Sequence, residues 1–171
     1  MKQVAKFEKI SFDQFKKDVQ KCFENMHKTD DEIRELYEQI ELPTRATKGS
    51  AGYDFKSPIP FILHKDKPTI IPTGIRVKID DGWVLKLYPR SGLGFKYGLK
   101  LLNTIGIIDS DYYNSDNEGH IMLKMLHTEG EYMIPFYTGD KIMQGVFVEY
   151  GITKNDVSNE TRNGGFGSTD K

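Results

Sequence analysis

Gly74-Ile75-Arg76-Val77-Lys78-Ile79-Asp80-Asp81-Gly82-Trp83-Val84-Leu85-Lys86-Leu87-Tyr88 decides the fold class of this chain. Two short β-rich runs, residues 74–79 and 83–88, are separated by a turn of aspartate and glycine. The same texture continues outward in both directions. Residues 61–63 and 69–71 precede the pair; residues 120–126, 132–136 and 142–150 follow it. Short runs of this kind, punctuated by turn signals, predict a mainly β sandwich, jelly roll or barrel. Residues 2–10 read as a first strand.

Residues 11–41 have a different texture. Phe12, Phe15, Val19, Phe23 and Met26 recur at three- and four-residue steps, one stripe of a helix. Ser11 and Gln14 read as a capping box. A second box, Thr29-Asp30-Asp31-Glu32, opens a helix carrying Ile33, Leu36, Tyr37 and Ile40, and Leu42-Pro43 ends it. The expectation is a helical hairpin inserted after the first strand, its apolar stripe packed on the β-domain. Glu32, Glu35 and Glu38 share a face, as metal-binding carboxylates do in all-α nucleotide pyrophosphohydrolases. A bundle with two carboxylate pairs would be needed, so a solvated face is expected.

The whole chain, 171 residues, suits a single domain spanning 1–171. A net charge of −1 provides no basic field, so no direct nucleic-acid binding is expected. Cys22 is the lone cysteine, which excludes an internal disulfide and fits a reducing cytosol. No apolar run reaches the roughly 20 residues of a membrane span. A soluble cytoplasmic protein with no membrane partner is expected. His27, His64, His120 and His127 have no ligand spacing and read as structural or exposed.

Five segments carry the candidate chemistry. They are Ala51-Gly52-Tyr53-Asp54-Phe55; Pro89-Arg90-Ser91-Gly92-Leu93; residues 103–119, with Gly106-Ile107-Ile108-Asp109-Ser110-Asp111-Tyr112 at their centre; Gly139-Asp140-Lys141-Ile142-Met143-Gln144; and a C-terminal stretch, Arg162-Asn163-Gly164-Gly165-Phe166-Gly167-Ser168-Thr169-Asp170-Lys171. Singly, each also reads as an ordinary turn or strand end. The last holds glycines, one aromatic, one guanidinium and adjacent hydroxyls, groups that let backbone, fork and ring close on a phosphorylated ligand.

In order and content these segments resemble the five motifs of the trimeric all-β dUTPase family, over residues 42–171. The resemblance implies a dUTPase-like β-barrel or jelly roll. It implies a homotrimeric dUTP diphosphatase that makes dUMP and pyrophosphate with Mg²⁺. It casts Arg90, Ser91, Gly92 and Gln144 as phosphate holders and Asp109 as the base for the attacking water. Asn103 matches the uracil reader and Tyr112 the ring that packs under the deoxyribose. Asp54 matches a group near the metal's waters. Residues 160–171 would form a flexible tail, with Phe166 stacking on uracil and Arg162, Gly167, Ser168 and Thr169 closing over the phosphates.

This chain departs from the family in three places. Arg162 stands one residue nearer Phe166 than usual, and Asp170 replaces a glycine. Residues 113–118 lengthen the third motif, which reads as a longer turn. The helical insert is the largest departure. Two rival readings stay open: a dCTP deaminase relative, which would need a glutamate base, and a regulatory protein gripping a partner through residues 11–41.

Overall fold

The structure, a computed structural model, describes residues 1–24 and 27–158. Strand β1 (Ala5–Lys9) leads into helices α1 (Phe12–Cys22) and α2 (Asp30–Glu38). Then come β2 (Thr44–Arg45), β3 (Tyr53–Lys56), β4 (Phe61–His64), β5 (Thr69–Pro72), β6 (Ile75–Ile79) and β7 (Trp83–Pro89). A short helix, α3 (Ser91–Tyr97), precedes β8 (Lys100–Leu101) and β9 (Gly106–Ile108). A 3-10 helix (Ser110–Asn114), β10 (Met122–Leu126), β11 (Met133–Phe136) and β12 (Lys141–Glu149) complete the order.

The frame is a five-stranded antiparallel sheet in the order β2-β3-β12-β7-β9. Its centre is β12, paired with β7 from Met143↔Pro89 to Glu149↔Trp83. Three smaller sheets, β1-β6, β5-β10-β8 and β11-β4, surround it. Alternation sets the faces: β6 buries Ile75, Val77 and Ile79 and turns Arg76 and Lys78 outward.

The core runs without a break from the strands into the insert. Leu63, Ile71, Leu85, Leu87, Leu123 and Met125 share one buried cluster with Ile10, Phe15, Val19, Ile33 and Ile40. Gly74 is the seam. Its φ is +72°, and a Cβ there would lie 2.4 Å from Ile40 Cδ1 and 3.3 Å from Phe15 Cδ2. The expected packing of the insert on the β-domain is what the structure has. Because the apolar faces are buried, any partner gripping residues 11–41 would meet their charged face.

The two caps differ. At α2 both halves of the box are present: Glu32 N–H donates to Thr29 Oγ1 at 3.3 Å and Thr29 N–H donates to Glu32 Oε2 at 2.7 Å. At α1 only half of the expected box forms, with Gln14 N–H donating to Ser11 Oγ at 3.2 Å. The Gln14 side chain instead donates to the Asp18 carboxylate at 2.8 Å. A charged acceptor one turn along makes the stronger bond. Glu118, 107 residues away, accepts the Ser11 N–H at 2.7 Å in its place. Glu32, Glu35 and Glu38 are exposed, and no group of three potential metal ligands occurs among the described residues. None of the described helices is long and apolar enough to cross a membrane.

Candidate active site

The central position of β12 gathers three of the five segments. Gln144 is registered against Asp54 of β3 on one side and Tyr88 of β7 on the other. Arg90, Ser91 and Gly92 follow directly where β7 turns into α3, with Arg90 at the N-cap. Asp54, Arg90, Ser91, Gly92 and Gln144 line one cavity of about 230 Å³ with Ala46, Ser50 and Gly52. These predicted residues are therefore brought together.

Asp54 is the electrostatic anchor of this cavity and is only 9% exposed. Its Oδ1 lies 3.2 Å from Arg90 Nε and its Oδ2 lies 2.7 Å from Lys141 Nζ. Two cations against one carboxylate leave a local excess of positive charge, which suits an anionic ligand. Sequence reasoning misses Lys141 although it stands inside the fourth candidate segment. A lysine after Gly-Asp carries no signal until the register places it beside Asp54. Gln144 Nε2 donates to Pro89 O at 3.1 Å, which fixes its amide. Gly52 leaves room for that amide, since a Cβ there would sit 2.8 Å from Gln144 Oε1.

Asn103, Asp109 and Tyr112 lie on a second surface. Asn103 is exposed in the connection from β8 to β9, beside Thr104 at φ 68°. Asp109 is half-buried at the N-cap of the 3-10 helix, and its carbonyl accepts the Tyr112 N–H at 3.2 Å. Tyr112 is 5% exposed. Its hydroxyl donates to the His120 carbonyl at 2.8 Å and accepts from Asn117 Nδ2 at 2.8 Å. Only a small part of the residue reaches solvent.

The two surfaces do not meet within one chain. Leu85 pairs with Ile108, so Asp109 continues past one end of the β7–β9 ladder. Arg90 continues past Pro89, at the other end of β7. Six residue steps at about 3.3 Å each put the two roughly 20 Å apart along the strand. Arg90 and Asp109 therefore stand on separate surfaces of the chain.

His120 is wholly buried, which makes it structural rather than exposed. Gly74 N–H donates to its Nε2 at 2.8 Å, so the ring hydrogen sits on Nδ1, which lies 2.6 Å from Asp18 Oδ2. Burial opposes the ionisation of Asp18, but the hydrogen bonds from His120 and Gln14 outweigh it and hold the carboxyl below its usual value of 3.8. Sequence reasoning misses this pair because 102 residues separate its members. Arg162, Phe166, Gly167, Ser168 and Thr169 lie outside the described residues.

Residues 38–170 match the family model for dUTPase. The chain belongs to the dUTPase family. It is 39% identical over 133 residues to the deoxyuridine 5'-triphosphate nucleotidohydrolase of Lactococcus lactis subsp. lactis (strain IL1403), covering 76% of this chain and 88% of that relative. The crystal structure of dUTPase from Streptococcus mutans is 31% identical with a TM-score of 0.64, covering 87% of this chain and 98% of that one. A mutant dUTPase from phage phi11 of S. aureus, a structure that coordinates a structural Mg(II) ion, shares the fold. It is 23% identical, with a TM-score of 0.59 over 73% of this chain and 94% of that one. The family match begins at the last residue of α2, after α1 is complete.

Proposed function

We propose that this chain hydrolyses dUTP to dUMP and pyrophosphate in the cytosol, as a homotrimer whose active sites lie between subunits. One observation carries the shared-site reading. The cradle around Arg90 and the turn bearing Asp109 stand at opposite ends of β7. A closed ring brings the cradle of one subunit to the turn of the next and makes equivalent sites. Leu102 and Ile107, 45% and 48% exposed, flank the Asn103–Asp109 stretch and supply apolar surface for such a contact.

In this site Arg90, Ser91, Gly92 and Gln144 hold the phosphates. Asn103 presents an amide that both donates and accepts, which complements O4 and N3–H of uracil and opposes the pattern of cytosine. Asp109 orients a water at the α-phosphorus and takes its proton. The new P–O bond forms as the bond to the β-phosphate oxygen breaks, and pyrophosphate leaves. Tyr112 bounds the sugar. Arg162, Phe166, Gly167, Ser168 and Thr169 complete the proposal as the closing tail.

The described residues suit a Mg²⁺ held mainly by the triphosphate itself. They contain no full ligand set, and both Asp54 oxygens already meet cations, with lone pairs left for a metal-bound water. When bound, Mg²⁺ supplies charge neutralisation at the phosphate oxygens.

A panel of dUTP, dCTP, dTTP, dATP, dGTP and UTP with Mg²⁺ tests the reaction. Pyrophosphate is expected from dUTP in strong preference to the rest. Ammonia from dCTP would move the protein to the deaminase reading. Subunit mixing tests the assembly. Asp109→Asn chains refolded with chains lacking residues 162–171 are expected to regain activity that neither has alone. Confirmed subunit exchange without recovery would place base and tail on the same chain and defeat the shared site.

A further inference from the structure

The helical segment and the turn after Tyr112 touch each other. Ser11, Gln14 and Asp18 stand three and four residues apart on α1, so they share one face. That face meets the turn at Glu118 and the chain just beyond it at His120. Glu118 accepts the Ser11 N–H at 2.7 Å and the Ser11 hydroxyl at 2.5 Å. Asp18 accepts from His120 Nδ1 at 2.6 Å.

From there the contacts lead to the active site without a gap. His120 receives the Tyr112 hydroxyl on its carbonyl, and Asn117, inside the same turn, donates to that hydroxyl. Tyr113 is tied separately to β1, where its hydroxyl donates to Glu8 at 2.6 Å, and the Arg76 guanidinium lies 3.5 Å above its ring. Ser11, Asp18 and Glu8 all precede residue 38, where the family match begins.

Among the described residues Asn117 Oδ1 has no partner, but the two central members are held at every polar side-chain atom: His120 by Gly74 N–H and Asp18, and the Tyr112 hydroxyl by the His120 carbonyl and Asn117 Nδ2. That arrangement fixes where Tyr112 stands. We infer that α1 is a positioning element for the active site: Asp18, through His120, and Ser11, through Glu118, hold Tyr112 where it separates deoxyribose from ribose. The inference rests on the reading of Tyr112 as the boundary of the sugar site. In the shared-site assembly, the helix on one subunit thereby governs selectivity at a pocket that a neighbouring subunit's cradle completes.

The readout is the ratio of kcat/KM for dUTP to kcat/KM for UTP, which is unaffected by the fraction of folded enzyme. Asp18→Ala is expected to lower this ratio about tenfold or more, the scale on which small misplacements remote from the chemistry are felt. Asp18→Asn keeps an oxygen acceptor for His120 Nδ1–H and is expected to hold the wild-type ratio. Glu118→Gly removes the second tie from outside the helix and suits a residue at φ 59°. It is expected to lower the ratio too, and it serves alone if Asp18→Ala does not fold. A lower melting temperature with an unchanged ratio in both Asp18→Ala and Glu118→Gly would overturn the inference and leave α1 as packing only. Failure of the hydrolase reading itself would show in the wild-type protein, which is assayed alongside.

Discussion

Asp109→Asn is expected to leave a folded protein that binds dUTP with near wild-type affinity and turns it over about 10²–10⁴ times more slowly, the usual cost of removing a general base. The substitution exchanges a carboxylate for an amide of the same shape. The turn has a backbone bond of its own, in which Tyr112 N–H donates to the Asp109 carbonyl, and the amide keeps the shape of the side chain. Position and fold should persist while proton acceptance is lost. Single-turnover rates with dUTP, beside the affinity for a non-hydrolysable analogue, separate the two effects. A rate within a few-fold of wild type would remove Asp109 from the mechanism.

Phe15→Ala is expected to give the largest loss of stability. Phe15 is wholly buried and packs on Tyr37, with ring centroids 5.7 Å apart, and close to Gly74. Truncating a buried phenylalanine costs about 3–5 kcal/mol, through lost transfer energy and the cavity left behind. In a domain of this size that lowers Tm by on the order of 10 °C. The measurement also decides whether the insert is separable. If residues 11–41 fold as an appendage, the main transition would move by less than about 2 °C. The continuity of the core predicts one cooperative transition that shifts as a whole.

Most strands were legible because alternation along β6, or the short apolar runs of β7, β10 and β12, announce themselves locally. Helix α3 was not: Gly92 and Gly94 lie within its seven residues and depress helix propensity. Strand β3 was hidden for a related reason, since Gly52-Tyr53-Asp54 resembles a turn until β12 pairs with it. At α2 the capping box was visible because both partners lie within four residues of each other. At α1 the second partner is Glu118, and no local rule can find it. Residue type and motif order marked Asp54, Arg90, Asn103, Asp109 and Gln144 as candidates, and the structure gathers Asp54, Arg90 and Gln144 in one cavity. The division of the candidates between two surfaces is what the family resemblance implies, and its physical basis, β9 joining the far end of β7, is visible only in the structure.

That division has a consequence for inheritance. In the ring proposed above, cradle and base of one chain would belong to different active sites, so each polypeptide would serve more than one site and complete none. In that ring a chain injured only at Arg90 or only at Asp109 would silence one site. A chain injured at both would silence two, although its own dose in the assembly is unchanged. A doubly damaged allele would therefore act as a partial poison in a cell that also makes the intact protein, and its harm would exceed its share of the subunits.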